Sequence, residues 1–196
     1  MKPQISDATK VSILEAAWRL ISTDGLANAS QARIAAEARV SRQTIFYAFG
    51  SRAGLLTAML RHMDQQSPEI RRLQALSASE GCNAADAFDY LDAWLDYLPR
   101  VYPVAILLDA ASLTDKDARA AIDDRMVGAL LSGFIRLFSR LAANGSLRAD
   151  VDPAHAASVI WAAAHPTAWR LLVVEQGWSA AEFRRSRRAA LQAFLI

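Results

Sequence analysis

The chain has 196 residues, of which 53% are hydrophobic and 21% charged, and this composition excludes a disordered protein. The formal net charge of +2 does not by itself indicate a binding partner. The chain has a single cysteine, Cys82, which excludes a disulfide framework and a cysteine zinc site. Only 8 Gly and 6 Pro occur beside abundant Ala, Leu and Arg, which favours an all-α fold.

The charges are distributed unevenly along the chain. Residues 1–62 contain eight Lys and Arg against four Asp and Glu, a net charge of +4, which leaves the rest at −2. A basic first domain indicates a polyanionic partner. The opening residues MKPQISD lack the apolar core of a signal peptide, and no apolar run approaches the roughly 18 residues of a membrane span. We therefore expect a soluble, cytoplasmic protein.

A first helix is predicted from a cap at Ser6 or Asp7 to about Thr23. Its apolar residues recur every three to four positions, as on one face of a helix, and they are Val11, Leu14, Ala17, Trp18 and Ile21. Gly25 then ends the helix. This helix is expected to support the pair of helices that follows.

Residues 30–49 predict two short helices joined by a turn at Arg39 and Val40, with Ser30 and Ser41 as the two caps. The apolar residues that face inward are Ile34, Ala35, Ala38, Ile45 and Phe49. The residues left on the outside of the second helix are Arg42, Gln43, Thr44, Phe46 and Tyr47. This arrangement is a helix-turn-helix, whose second helix fits the DNA major groove and reads base edges with its N-terminal residues.

A fourth helix, capped by Ser51, is predicted to end near Ser67, because the residue before Pro68 avoids the helical region. We divide the chain accordingly. Residues 1–50 form a helix-turn-helix DNA-binding domain, the helix over 51–66 is a bridge, and residues 67–196 form a helical bundle for ligand binding and dimerisation.

The first part of the bundle is predicted to contain a short helix around 69–76, a clear helix over 83–98 and a short apolar helix over 104–113. Pro99 and Pro103 bracket a turn between the last two, since proline lacks the N–H that a helix needs.

Three longer helices are predicted to complete the bundle. A long helix capped at Asp115 runs to about residue 143, and the next one covers 153–175. Pro166 lies inside this second helix and is expected to kink it, because it removes the hydrogen bond to the Ala162 carbonyl. Ser179 caps the last helix. The helices over 153–195 are apolar on more than one face, so they are expected to pair with a second copy of the chain.

The sequence around the helix-turn-helix resembles the DNA-binding domain of the TetR family of transcriptional regulators. The matching positions are Gly25, Ile34-Ala35, Val40-Ser41, Thr44, Phe49, Ser51-Arg52 and Leu55-Leu56, within roughly residues 8–62. The chain departs from the family pattern at four positions. Arg39 stands in place of a turn glycine, Phe46 in place of a recognition-helix tyrosine, Ala48 in place of an aromatic residue or histidine, and Arg52 in place of a lysine. The resemblance implies a homodimer that binds a palindromic operator in double-stranded DNA, most often as a repressor.

Nine residues are the candidates for DNA contact, namely Ser30, Arg33, Ser41, Arg42, Gln43, Thr44, Phe46, Tyr47 and Arg52. Arg42 and Gln43 suit bidentate base readout, whereas Thr44 and Tyr47 suit a phosphate or a thymine methyl group. We assign the remaining basic residues and Ser30 to phosphates. An ordinary solvated helix face is the alternative.

An apolar cavity within the bundle is the candidate effector site. Its candidate residues are Phe88, Trp94, Tyr97, Asp109, Met126, Phe134, Trp161 and His165. For each aromatic residue plain core packing is the simpler interpretation, and His165 suits a core histidine equally well. Few of these residues are polar and no inward basic cluster is evident, so the predicted effector is small, apolar and often aromatic.

The sequence contains no motif of an enzyme, and we predict no catalytic residue, cofactor or metal. His62, His155 and His165 are scattered without metal-ligand spacing. The run Arg184, Arg185, Arg187 and Arg188 is interpreted as a solvated helix face.

Three hypotheses follow from these observations. The first is a ligand-responsive, homodimeric transcriptional regulator, and the second is a regulator controlled by a protein partner. The third is a helical enzyme, which would need a titratable cluster in its cavity.

Overall fold

The computed structural model describes residues 5–79 and 81–196. Within these ranges the regular structure is helical, apart from one isolated antiparallel bridge between Leu147 and Leu195. The predicted all-α fold is confirmed. Two sequence-based observations, the opening residues MKPQISD and the charge of Lys2, involve residues 1–4, which lie outside the described ranges.

The first four helices are α1 (Asp7–Asp24), α2 (Gln31–Glu37), α3 (Arg42–Phe49) and α4 (Arg52–Gln65). Each begins after a serine whose hydroxyl accepts the backbone N–H three residues later, and these serines are Ser6, Ser30, Ser41 and Ser51. Gly25 and Gly50 follow α1 and α3 with φ of 83° and 75°, angles that glycine adopts without strain. The predicted caps and helices of this region are therefore confirmed.

Helix α5 (Pro68–Ala78) is followed by one uninterrupted helix, α6 (Ala84–Ala111). The prediction of two helices separated by a turn at Pro99 and Pro103 is wrong. Both prolines are exposed, so water can solvate the carbonyls that lose their hydrogen bonds, while Leu98 and Val104 stay buried on the other side. Burial of the apolar face on both sides of the prolines outweighs the two lost bonds.

Helix α7 (Lys116–Asp123), a π-helical stretch (Asp124–Leu131) and α8 (Ser132–Ala143) follow one another without a break, as the predicted long helix requires. The π-helical stretch was not predicted. Its Met126 carbonyl accepts a hydrogen bond from the Trp161 indole at 2.8 Å, and its Val127 carbonyl accepts one from Ser132 at 3.1 Å. Side chains inserted into the helical ladder in this way are a common cause of such irregularity.

The stretch Lys116–Ala143 is also the one helix among the described residues that is long and apolar enough to cross a membrane, judged by length and composition alone. This finding differs from the sequence-based expectation. The helix buries Phe134, Leu137, Phe138 and Leu141 within the protein, and a buried core helix passes the same test.

The remaining helices are α9 (Pro153–Ala163), α10 (Pro166–Trp169), a π-helical stretch (Arg170–Glu175) and α11 (Ala180–Gln192). Pro166 does not kink one continuous helix, as predicted, but begins a new one after a break at Ala164 and His165. The Trp94 indole donates to the Ala164 carbonyl at 2.8 Å and satisfies the backbone at this break. His165 caps α10 by accepting the Thr167 N–H at its Nδ1, at 3.3 Å.

The chain forms two compact units. One consists of Met1–Gln66 with Pro103–Arg125, and the other of Ser67–Tyr102 with Met126–Ile196. Segment 103–125, which the sequence analysis assigned to the second domain, thus groups with the helix-turn-helix. The first unit is centred on Ile13, Ile45 and Met59, and the second on Trp94 and Phe134, all at most 1% exposed.

Gly133 on α8 allows the Tyr90 ring to approach the helix backbone. A Cβ at this position would overlap the Tyr90 hydroxyl, and that ring is 3% exposed and packs edge-on against Phe134 at 4.9 Å. We expect Gly133→Ala to lower the free energy of unfolding by about 1–3 kcal/mol in urea titrations, because an overfilled core must shift. Gly81→Ala is the control, since its Cβ would meet nothing within 4 Å. Equal stability of the two variants would contradict this packing.

Candidate nucleic-acid interface and effector region

Helix α3 presents the exposed polar surface that the sequence predicts. Ile45 is 1% exposed and anchors the helix, whereas Arg42, Gln43, Phe46 and Tyr47 are all exposed. Thr44 and Phe49 are half-buried, so Thr44 is less accessible than predicted. The Thr44 hydroxyl lies 2.9 Å from that of Ser41, in addition to the N-cap bond between Ser41 Oγ and the Thr44 N–H at 3.0 Å. These bonds fix the end of the helix that carries Arg42 and Gln43.

The turn between α2 and α3 contains a left-handed residue. Arg39 has φ of 55° and is the one non-glycine with positive φ among residues 5–79 and 81–196. Val40 N–H donates to the Ala35 carbonyl at 2.9 Å and closes the turn. A side chain in this conformation costs about 1 kcal/mol relative to glycine. The turn therefore keeps its geometry although the chain lacks a glycine here.

A groove of about 650 Å³ lies beside α3 within the first unit. Its wall is formed by the exposed Phe46 ring, the loop before α2 and the starts of α2 and α4. The lining residues from these segments include Leu26, Ala29, Ser30, Gly50, Ser51 and Arg52. The predicted phosphate-binding residues Ser30 and Arg52 are thus brought to one groove next to α3.

Arg52 is engaged by acidic residues in this structure. Its Nη1 donates to Asp115 Oδ2 at 2.6 Å and lies 3.7 Å from Asp117 Oδ2. Asp115 also caps α7 by accepting the N–H groups of Asp117 and Ala118. The hydrogen bond from Arg52 holds the pKa of Asp115 below its usual value, and the two backbone bonds act in the same direction. A phosphate would therefore compete with Asp115 for Arg52, a relation that sequence reasoning missed because 63 residues separate the pair.

Arg33 on α2 is also hydrogen-bonded. Its Nη2 donates to Asp24 Oδ2 at 2.6 Å, and its Nη1 donates to the Asn28 carbonyl at 3.1 Å. The hydrogen bonds from Thr23 and Arg33 lower the pKa of Asp24. Arg33 thus ties the end of α1 to the loop before α2, and its side chain remains 50% exposed.

Comparison with known proteins identifies this arrangement. Residues 13–59 match the model of the family described as bacterial regulatory proteins, tetR family. The N-terminal domain belongs to the TetR family. The predicted resemblance is thereby confirmed over residues 13–59, from within α1 to within α4, and the TetR-family domain is a DNA-binding helix-turn-helix.

Solved structures extend the similarity to the whole chain at the level of fold. A TetR-family regulator from Rhodococcus sp. aligns with a TM-score of 0.77 at 20% identity, covering 97% of this chain and 100% of the other. A regulator from Saccharomonospora viridis, in complex with choline, aligns with 0.70 at 21% identity, covering 95% and 97%. The SmeT–triclosan complex aligns with 0.75 at 19% identity, covering 97% and 93%. None of the curated proteins compared with the chain matches it.

Several predicted effector-binding residues meet near the break between α9 and α10. The Trp94 and Tyr97 rings lie 6.1 Å apart, and the Trp161 ring packs edge-on against His165 at 5.3 Å. Trp94 is bonded to the backbone at Ala164, as described above. Because Trp94 and Tyr97 are at most 1% exposed, they pack as core residues in this conformation.

The other predicted effector residues are Met126, whose carbonyl accepts the Trp161 indole N–H, and Phe88, Phe134 and Asp109. Phe134 is fully buried against Tyr90, Met126 is 2% exposed, and the Phe88 ring lies under the Arg188 guanidinium at 4.5 Å. Asp109 is half-buried and belongs to the first unit. These contacts assign structural roles to Phe88 and Phe134 that spacing alone does not reveal.

The arginine run on α11 is mostly engaged within the second unit. Arg184 and Arg188 form ion pairs with Asp92 on α6, and Arg184 also pairs with Asp96. Arg187 donates to the Ala163 carbonyl at 2.7 Å, and burial lowers its pKa. The prediction of a solvated face holds only for Arg185, which is exposed. Within the described ranges no three His, Cys, Asp or Glu residues are grouped to hold a metal ion.

Proposed function

We propose that this TetR-family protein is a cytoplasmic, homodimeric transcriptional regulator that binds a palindromic operator through α3. In this proposal it acts as a repressor, and a small apolar or aromatic effector bound in the second unit releases it from DNA. The main support for the proposed DNA binding is the exposure of Arg42 and Gln43 at the N-terminal end of α3. Among residues 5–79 and 81–196, no side chain from another helix bonds to Arg42 or Gln43, and Ser41 caps the end of α3 on which they lie.

Arg42 is the proposed base-reading cation of α3. We expect Arg42→Ala to relax the preference at one base position by about 1–3 kcal/mol, because a bidentate contact to guanine is lost. Fluorescence anisotropy with the selected operator and its single-base variants measures this preference. Arg100→Ala on α6 removes an exposed arginine outside α3 and outside residues 153–195, and it serves as the control.

The salt dependence of DNA affinity is a second test of the proposed DNA binding. Affinity is expected to fall steeply with salt, since phosphate neutralisation releases counterions. Unchanged operator preference in Arg42→Ala would show that α3 does not read DNA with this residue.

The dimer is proposed to form through residues 153–195, where apolar side chains remain exposed in the single chain. Val159, Leu171 and Val174 are 41%, 44% and 58% exposed. Helix α11 adds the small exposed residues Ala181 and Ala189, which allow close helix packing. A homodimer contains two α3 helices, one for each half-site of a palindromic operator.

The effector is proposed to bind among the aromatic residues near the α9–α10 break. The support is the grouping of Trp94, Tyr97, Trp161 and His165, together with the similar folds that hold triclosan and choline. Opening of this packed core would be part of binding, because Trp94 and Tyr97 are buried here.

A thermal-shift screen tests the effector. We expect apolar aromatic compounds to raise the Tm, and sugars, nucleotides and phosphorylated metabolites to leave it unchanged, because a buried charge needs a partner. A compound that raises the Tm should weaken operator binding, and operator DNA should weaken its binding by the same factor. A response to a nucleotide alone would contradict the apolar site. No response to any small molecule, with intact DNA binding, would favour control by a protein partner.

A further inference from the structure

Two polar side chains on the exposed face of α3 are hydrogen-bonded to each other. Gln43 Nε2 donates to Tyr47 Oη at 2.8 Å, and Tyr47 is 43% exposed. The two residues are four positions apart, so one turn of the helix places them side by side. The Phe46 ring lies 6.3 Å from the Tyr47 ring at an interplanar angle of 60°.

We infer that Tyr47 is a positioning residue that holds the Gln43 carboxamide in the orientation that reads adenine, an inference that rests on the proposed DNA-binding function. Adenine presents the N7 acceptor and the N6 donor in the major groove, and a glutamine matches both with one N–H and its carbonyl oxygen. The Gln43 amide has two N–H groups. One donates to Tyr47, which leaves the second N–H and Oε1 for the base.

The hydrogen bond also determines which bases are rejected. Guanine presents two acceptors, N7 and O6, and the oxygen of an amide held in this orientation would face O6 without a proton between them. Without the Tyr47 hydroxyl, the amide can turn over about its last bond and place its NH₂ group where the oxygen stood. The turned amide no longer separates adenine from guanine. Tyr47 accepts in this bond, so its own proton remains available to donate to a phosphate oxygen.

Selection of binding sites from a randomised DNA pool by the full-length protein tests the inference. The wild type is expected to select adenine at one position of each half-site. Tyr47→Phe keeps the ring and removes the hydroxyl, and it should lower the preference for adenine over guanine at that position about tenfold, as Gln43→Ala does. In the Gln43→Ala background, Tyr47→Phe should change that preference no further. Tyr102→Phe, a hydroxyl deletion in the other unit, is the control.

The free protein provides an independent readout. Tyr47→Phe should shift the side-chain NH₂ resonances of Gln43 in ¹⁵N-resolved NMR spectra, and unchanged resonances would overturn the inference. An equal loss of affinity for all sequences, with the adenine preference intact, would also overturn it and leave Tyr47 as a phosphate contact. A wild type that selects no sequence would overturn the proposed function. A wild type that selects a site without adenine at the expected position would leave the proposed function intact and overturn the inference about Tyr47 and Gln43.

Discussion

Val159→Glu is expected to convert the protein to monomers and to weaken operator binding by about a hundredfold or more. Val159 lies on α9 and is 41% exposed in the single chain, so the proposed dimer would bury it. A buried, unpaired carboxylate at a two-fold interface is costly because it meets its own copy. Two half-sites are then no longer bound by linked α3 helices, and the gain from multivalency is lost. Sedimentation velocity at micromolar concentration and operator titration measure the two effects.

Two further variants are controls for Val159→Glu, one on the surface outside 153–195 and one in the core. Leu113→Glu introduces the same charge at a side chain that is 84% exposed and lies outside 153–195, and it should stay dimeric. The sequence pattern predicts Leu191, on the apolar side of the last helix, as a position in the dimer interface, but Leu191 is 0% exposed within the single chain, so this assignment is wrong. Leu191→Glu should therefore unfold the protein rather than separate two folded copies. A folded, dimeric Val159→Glu protein would refute this location of the interface.

Asp64→Ala is expected to lower the free energy of unfolding by about 3–5 kcal/mol, because it leaves Arg125 charged in the protein interior. The Arg125 Nε lies 2.7 Å from Asp64 Oδ2, and the two side chains are only 6% and 13% exposed. Both residues belong to the first unit, where they join α4 to the start of the π-helical stretch that follows α7. Urea titration followed by circular dichroism measures the change.

The neighbouring ion pair offers a matched control. Arg61 donates to Asp124 through two nitrogens, at 3.0 and 2.5 Å, but its side chain is 63% exposed. Arg61→Ala should therefore cost less than about 1 kcal/mol. The double variant Asp64→Leu with Arg125→Met should recover much of the lost stability, since an apolar pair of similar volume replaces the buried charges. A similar loss in Asp64→Ala and Arg61→Ala would show that burial does not determine the difference.

The sequence by itself determined the DNA-binding domain because the signals there are local. A serine three residues before a backbone N–H, a glycine at the end of a helix and the four-residue spacing of Ile45 and Phe49 act within one or two turns. These interactions do not depend on distant residues, so their pattern predicts α1 to α4 directly. The exposed face of α3 follows from the same periodicity. The same periodicity places Gln43 and Tyr47 one helical turn apart, whereas their hydrogen bond depends on the rotamers of the two side chains.

Only the tertiary structure decided the features that depend on distant partners. Helix α6 continues through Pro99 and Pro103 because packed residues on its other face outweigh two lost hydrogen bonds. The indoles of Trp94 and Trp161 satisfy carbonyls 70 and 35 residues away, at a helix break and in a π-helical stretch. Local propensity contains no information on such pairs, since their energies arise only when separate segments are brought together. For the same reason, the ion pair of Arg52 with Asp115 was decided by the packing of α4 on α7 and not by any pattern along the chain.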